Sequence, residues 1–354
     1  MSLSDRFLNL FSKDLAMDLG TANTLIYVKR EGVVLDEPSV VAIDIRTDQP
    51  IAVGVRAKQM YGKTPENIKT IRPMKDGVIA DFAVTEKMIT YFLDKVCKHR
   101  KLFHPRLMVC IPSGITSVEK RAVIDSARQS GARKILLIEE PMAAAVGADL
   151  PVEEDSGCMV VDIGGGTTEA AVISLSSTAY QESLRVAGDE MDEAIVNYMR
   201  YEHKLVIGPY EAENIKIKIG SAIPLEEKLT YAARGKDLVT GIPKAVVVND
   251  DEIREALKEP VKAIVDVVER ALMRTSAELA ADIFERGVMI TGGGSLLRGL
   301  DKHIEQELNK RIKQKNPSGT HLKVYRAEDP LRSVVMGSGK VLDHFKLLRK
   351  VCVT

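Results

Sequence analysis

Short apolar runs bounded by glycine, proline and charged residues alternate along this chain with stretches whose apolar residues recur every three or four positions, the pattern of strands alternating with helices. Leu15 to Met17, Leu25 to Val28, Gly32 to Val34 and Ser39 to Ile43 read as strands, followed by a polar turn at Arg46 to Pro50 and a helix near Val55 to Tyr61. From Thr85 a helix carries Met88, Ile89, Phe92, Leu93 and Val96 on one face. Val109 to Ile111 and Ile135 to Ile138 are the continuous apolar runs of strands buried on both faces. Between them Ser117 to Gly131 reads as a helix ending on glycine, and Pro141 opens an alanine-rich helix. The order then returns. Cys158 to Val161 and Ala170 to Leu175 are strand-like, as is a stretch near Ser183 to Val186, and a helix runs from Asp189 to about His203. Residues 208–250 form an insert, helical at first and strand-like at Val246 to Val248. A long helix from Asp250 past Thr275 is interrupted near Glu259-Pro260, and Val288 to Thr291 is a strand. This order predicts an α/β protein of two mainly parallel sheets with helices on their faces.

Within that repetition two short segments match. Asp18-Leu19-Gly20-Thr21-Ala22-Asn23-Thr24 and Asp162-Ile163-Gly164-Gly165-Gly166-Thr167-Thr168 each place an aspartate at the end of a strand, then a glycine-bearing turn, then threonine and a second strand. Tight turns of this kind present backbone N–H groups to a phosphate chain, and the two aspartates would hold a hydrated Mg²⁺ beside it. The competing explanation for each aspartate is an ordinary turn cap; the matched repetition favours a duplicated domain acting on a nucleotide.

Composition narrows the class further. With 354 residues, 45% of them apolar, the chain can fill two large α/β domains. Lys plus Arg and Asp plus Glu balance at 50 each, which gives no overall field toward nucleic acid. Cys97, Cys110, Cys158 and Cys352 form no CxxC pair and the six histidines no HExxH, so a thiolate or imidazole metal site is not expected. The cysteines read as reduced, mostly buried thiols. No apolar run reaches the ~18 residues that span a bilayer, and no signal peptide precedes the first strand, so a cytoplasmic protein is expected.

Other residues carry candidate chemistry. Glu140, at the start of the alanine-rich helix, serves either as that helix's cap or, with Thr167, to orient a water for in-line attack on a γ-phosphate. Glu213 and Lys216 share a helical face and suit either adenosine or a surface ion pair. The turn Gly292, Gly293, Gly294, Ser295 and Leu296 suits the base or ribose side of a nucleotide. Ala143, Ala144, Ala145 and Gly147, with Gly337 and Gly339, let two helices cross closely, as packing or as a hinge. Leu3, Phe7, Leu10 and Phe11 form the apolar face of a short amphipathic helix, which either docks on the domain or lies on a membrane. Leu102 and Phe103, in a basic stretch with Lys98, Arg100 and Arg106, are the wedge expected to enter anionic lipid, and many copies in a polymer would bind it by avidity.

The paired turns at Asp18 and Asp162, Glu140-Pro141-Met142-Ala143-Ala144-Ala145, Asp76 to Phe82, Ala187-Gly188-Asp189-Glu190-Met191-Asp192 and Gly292 to Gly299 closely resemble the MreB family of bacterial actins over nearly the whole chain. The hairpins and the late glycine turn alone specify only the wider actin, sugar-kinase and heat-shock ATPase superfamily. The resemblance implies an actin-like ATPase fold of two duplicated ribonuclease H-like domains, each with a smaller inserted subdomain, around a nucleotide cleft. By this resemblance subdomain IA comprises 1–33, 76–155 and 324–354, IB 34–75, IIA 156–188 and 250–323, and IIB 189–249. It assigns phosphate contacts to Gly20, Thr21, Ala22, Asn23, Gly164, Gly165, Gly166 and Thr167, adenosine to Glu213 and Lys216, and the base side to Gly292 through Leu296. It further implies slow ATP hydrolysis with Mg²⁺ and assembly into paired, membrane-attached filaments that direct peptidoglycan synthesis and rod shape. Partners implied are further copies of the chain, the anionic inner membrane surface, RodZ, MreC, MreD and the elongation enzymes. One departure is Asn309 to Lys323, a lysine-rich connection with Pro317-Ser318-Gly319 that is longer than usual for the family and reads as a surface loop or a lineage-specific contact. A small-molecule kinase, a chaperone ATPase and a non-polymerising nucleotide switch are the alternatives; the kinase would need a base beside an acceptor hydroxyl, and the chaperone a further peptide-binding domain.

Overall fold

Leu15, Ala16 and Met17 of strand β1 (Asp14–Leu19) are wholly buried, so this strand is covered on both faces and lies inside its sheet. The computed structural model describes residues 14–97, 104–315 and 321–353. The chain divides into two units, the first of Met1–Ser156, Ile173–Ala179 and Leu331–Thr354, the second of Gly157–Val172 and Tyr180–Pro330. The amphipathic stretch with Leu3, Phe7, Leu10 and Phe11, and the pair Leu102 and Phe103, lie outside the described residues.

In the first unit β1 pairs antiparallel with β2 (Asn23–Val28), and β2 with β3 (Gly32–Pro38). A small sheet sets β4 (Val41–Asp44) between β5 (Gln49–Val53) and β6 (Ile68–Ile71), and α1 (Val55–Met60) closes its core of Val40, Ala42, Ala52 and Ala57. The ribbon β7 (Met74–Lys75) and β8 (Val78–Ile79) turns at Asp76 and Gly77, both in the left-handed region at φ 50° and 76°. Aspartate followed by glycine is the pair such a turn favours. Helix α2 (Phe82–Val96) begins three residues before the predicted Thr85, because the Asp81 side chain caps it by accepting from Val84 N at 3.0 Å. Then come β9 (Arg106–Ile111), α3 (Ser117–Gln129), β10 (Lys134–Glu139) and α4 (Glu140–Gly147). β1, β9 and β10 run parallel, so their carboxyl ends lie along one edge of the sheet.

The second unit repeats the plan. β11 (Cys158–Ile163), β12 (Thr168–Ser174) and β13 (Ser177–Leu184) neighbour one another, the last earlier in the chain than the predicted Ser183 to Val186. Helices α5 (Gly188–Glu202) and α6 (Pro209–Ile219) follow, then a three-stranded antiparallel sheet of β14 (Leu205–Val206), β15 (Thr230–Asp237) and β16 (Pro243–Asn249), of which only the last was read from the sequence. The predicted long helix is two, α7 (Asp250–Ala256) and α8 (Lys258–Arg274), which part at Leu257 and not at Pro260. Proline 260 has no N–H to give Ala256 O, so the helical ladder fails one turn earlier, and proline itself sits in the first turn of α8 where no donor is needed. Helix α9 (Ala277–Arg286) was not predicted; β17 (Val288–Thr291) runs parallel between β11 and β18 (Val324–Arg326). Helix α10 (Leu300–Lys315) takes up the first half of the predicted Asn309 to Lys323 connection. Asn309 is buried there, its Nδ2 donating to Leu322 O and its Oδ1 accepting from Leu322 N, each at 2.8 Å.

The chain returns to the first unit as α11 (Ser333–Asp343), α12 (Phe345–Leu348) and β19 (Cys352–Val353), which pairs with β10. α11 crosses α4 on glycine: a Cβ at Gly337 would overlap the Ala143 carbonyl, and one at Gly147 the Ser333 carbonyl. Gly339 lies against the Tyr27 ring, where a Cβ would come within 2.7 Å, and the Tyr27 hydroxyl donates to Asp343 Oδ2 at 2.8 Å. Both helices belong to one unit, so their crossing is core packing. The four cysteines are free, and Cys97, Cys110 and Cys158 are buried. Among the described residues no helix is long and apolar enough to cross a membrane.

Candidate functional site

The first turn leaves β1 at Asp18, whose register partner is Leu25 of β2. Gly20 is required by the tightness of the turn, since a Cβ there would stand 2.7 Å from Asn23 O. Thr21 is buried, and its hydroxyl accepts from Gly77 N at 2.9 Å, so the Asp76-Gly77 ribbon docks on the turn. Ser39, wholly buried, braces it from the other side: its hydroxyl donates to Gly20 O at 2.7 Å and its N–H to Ala22 O at 2.9 Å. The Asn23 side chain donates to Asp36 Oδ1 at 3.2 Å. Glu140 enters at the same sheet edge, because β10 delivers it at the carboxyl end of a strand parallel to β1. It is the first residue of α4, whose cap position is Glu139, so capping is not its role. A carboxylate there is favoured by the positive end of the helix. Asp18, Gly20 through Asn23 and Glu140 thus converge within the first unit.

In the second unit the turn Gly164 to Thr167 closes with Gly164 N donating to Thr167 O at 2.8 Å. The start of α5 braces it, as Gly188 N and Asp189 N donate to Gly164 O and Gly165 O at 3.2 and 2.7 Å. Asp162, paired in register with Thr291 of β17, puts the turn at Gly292 beside the first turn. Gly292 has φ 80°, and a side chain there would strike the Asp162 carboxylate and the Ile163 carbonyl; a Cβ at Gly294 would also meet Ile163, 3.0 Å from its carbonyl oxygen. These glycines are therefore dictated by one turn packing on another, a reason in addition to the close aromatic plane inferred from sequence. Ser295 is buried with its hydroxyl on Gly292 O at 2.7 Å, whereas Leu296 is 44% exposed.

Lys216 Nζ lies 2.8 Å from Asp192 Oδ1 on α5 and donates to Gly188 O at 2.7 Å. It therefore ties α6, which carries Glu213, to the element that braces the Gly164 turn. Burial raises the Asp192 pKa to about 6, against the opposing attraction of Lys216. Ser39, Gly77, Gly188, Asp189 and Asp192 were not predicted as site residues. The last three, with Gly77, lie in the two segments that narrowed the family resemblance, and bracing the turns is what those segments do.

Asp162 is buried, and burial alone raises its pKa to about 6. Its Oδ1 has no hydrogen-bond partner among the described residues, and such an oxygen is stable beside a cation. Among the described residues no cluster of three or more His, Cys, Asp or Glu exists, so water and phosphate would complete the ion's shell. That donor set fits Mg²⁺, which keeps several waters.

A family model described as MreB/Mbl protein matches residues 12–350. Cell shape-determining protein MreB of Escherichia coli K12 is 53% identical over 345 residues, covering 96% of this chain and 95% of that protein. Cell shape-determining protein Mbl of Bacillus subtilis is 46% identical over 341 residues, covering 96% and 99%. Among solved structures, MreB5 of Spiroplasma citri bound to ADP superposes with a TM-score of 0.85 at 34% identity, covering 95% of this chain and 97% of that one. The same protein bound to AMPPNP gives 0.86 at 33%. The fold is actin-like, and with a family match over nearly its whole length the chain belongs to the MreB/Mbl family.

Proposed function

We propose that this protein binds ATP with Mg²⁺, hydrolyses it slowly, and in its ATP form assembles into paired filaments on the cytoplasmic face of the membrane. There it directs peptidoglycan synthesis and maintains rod shape. The observation that carries the reading is the pair of matched turns, each with an aspartate at its strand end and its own buried brace. MreB5, bound to ADP and AMPPNP, supports the nucleotide, and the cell shape-determining relatives support the cellular role. We read residues 34–75 and 189–249 as the inserted subdomains IB and IIB, and the two large sheets as IA and IIA.

Asp18 and Asp162 would hold the Mg²⁺ through water; when bound, the ion neutralises charge on the phosphates. Backbone donors of Gly20 to Asn23 and Gly164 to Thr167 hold the phosphate chain. Lys216, fixed by Asp192, and Glu213 receive the adenosine, with Gly292 to Leu296 on the base side. Glu140, acting as a carboxylate, and the Thr167 hydroxyl orient the attacking water. Leu102, Phe103 and the apolar face of Leu3, Phe7, Leu10 and Phe11 attach the filament to anionic lipid, and RodZ, MreC, MreD and elongation enzymes are its partners.

The test is electron microscopy of the purified protein with Mg-ATP on anionic liposomes, beside a Leu102→Ser, Phe103→Ser variant lacking residues 1–11. Paired filaments on the lipid, detached in the variant, are expected. ATP binding with no assembly at any concentration would overturn the filament reading in favour of a nucleotide switch.

A further inference from the structure

The second unit contains a pocket of about 420 Å³ that none of the nucleotide-site residues lines. Its walls are the segment 221–224 that follows α6, the α7–α8 junction and one face of α10. Leu257, Val261 and Val265 are buried and give it an apolar floor. The wall is firmly built: Ala222 N donates to Arg298 O at 2.8 Å, the Ser221 hydroxyl donates to Ile223 O at 2.8 Å, and a Cβ at Gly299 would overlap Ile223. A preformed, mostly apolar cavity of this size is of the kind that takes small molecules.

Charged groups around it are largely paired with one another. Arg311 lies between Asp266 and Glu269 at 2.7 and 2.5 Å, Lys258 meets Glu255 at 3.3 Å, and Glu307 meets Lys310 at 3.4 Å. Two donors depart from that pattern. Arg254 Nη2 donates to Asp251 at 2.5 Å, but its Nη1 is buried without a hydrogen-bond partner, 3.8 Å from Asp250 Oδ2. Lys262, exposed on α8 at the pocket, has no ion-pair partner among the described residues. His303 is held largely neutral near pH 7, since burial lowers its pKa against the pull of Glu307, so it offers a hydrogen bond and no charge. An unsatisfied buried guanidinium N–H is costly, and an anionic oxygen would relieve it. The surplus is one positive charge beside several carboxylates, which suits a monoanion and disfavours a phosphate monoester.

We propose that this pocket binds a small amphipathic carboxylate, its apolar body on Leu257, Val261 and Val265 and its head on Arg254 Nη1 and Lys262. The test is methyl NMR of the full chain labelled at isoleucine, leucine and valine, titrated below micelle formation with octanoate and, in parallel, octanol and octyl phosphate. Saturable shifts confined to Ile223, Leu257, Val261 and Val265 are expected, with octanoate at least tenfold tighter than octanol and tighter than octyl phosphate. Lys262→Gln should weaken octanoate at least fivefold at an unchanged melting temperature, and Val265→Phe should fill the cavity and abolish the shifts. Shifts spread over exposed apolar residues, equal affinity for octanol, tighter binding of octyl phosphate, or an unaltered Lys262→Gln titration would each overturn the proposal. None of these readouts depends on nucleotide, so the result stands apart from the ATP reading.

Discussion

At the scale of single residues, two carboxylates of the site differ in what holds them. Glu140 stands at the start of α4, where the helix favours its ionised form, as a group that orients water requires. Glu140→Ala should therefore keep ADP affinity within about twofold and slow phosphate release about 10²-fold, measured by a coupled phosphate assay beside nucleotide titration. Unchanged turnover would remove Glu140 from the chemistry. Asp192, by contrast, is a buried carboxylate whose pKa of about 6 lies above that of an unfolded aspartate, so its ionised form costs stability in the folded state. As pH falls from about 6 to 4 the folded protein takes up this proton before the unfolded chain does, and that cost is relieved. Compared with Asp192→Asn, the wild type should gain on the order of 2 kcal/mol between pH 7 and pH 4, read from urea unfolding at each pH. A constant difference between the two proteins would mean that Asp192 titrates normally. The same variant should loosen Lys216 and weaken ADP about tenfold at pH 7.

At the scale of elements, what was legible in the sequence was what local chemistry decides. The hairpin turns, the Asp-Gly ribbon and the proline-opened α4 follow from residues within a few positions of one another, as does the α4–α11 crossing once its glycines are noticed. That crossing yields a sharp expectation: Gly337→Ala puts a methyl group into the Ala143 carbonyl, a clash of backbone that no rotamer can relieve. It should cost at the upper end of the ~1–3 kcal/mol typical of overpacked cores, lowering the melting temperature by several degrees, whereas Gly62→Ala, with nothing near its Cβ but φ 71°, tests backbone strain alone. What stayed illegible was set by distant partners. Pro260 marked a helix break, but the break falls at Leu257 because the missing donor acts one turn back. Asn309 looked like part of a loop until Leu322 was found to complete its hydrogen bonds. Lys216 looked free to pair with anything on its own helix, and its tie to Asp192 and Gly188 depends on how α6 packs on α5.

At the scale of the whole molecule, the site is built at some expense to the fold, and that conflict can be measured. Asp162 keeps a buried carboxylate oxygen without a hydrogen-bond partner among the described residues, an arrangement that a fold selected for stability alone would avoid. If the group is there for a cation, Asp162→Asn removes a buried charge at nearly constant volume and should leave the nucleotide-free protein as stable as the wild type or more so. The ligand should then act in the opposite direction. At a hundred times its dissociation constant, Mg-ADP contributes about 2.7 kcal/mol to the wild type, a rise in melting temperature of roughly 5–10 °C for a protein of this size. In Asp162→Asn most of that rise should vanish, and in wild type excess chelator should reproduce the loss. The measurement is a set of melting curves at a concentration below assembly, with and without Mg-ADP and chelator, for both proteins. A variant less stable than wild type without nucleotide would make Asp162 a structural residue. An undiminished Mg-dependent shift in the variant would move the ion to other ligands, and only the crossing of the two effects fits a carboxylate kept for the ion it holds.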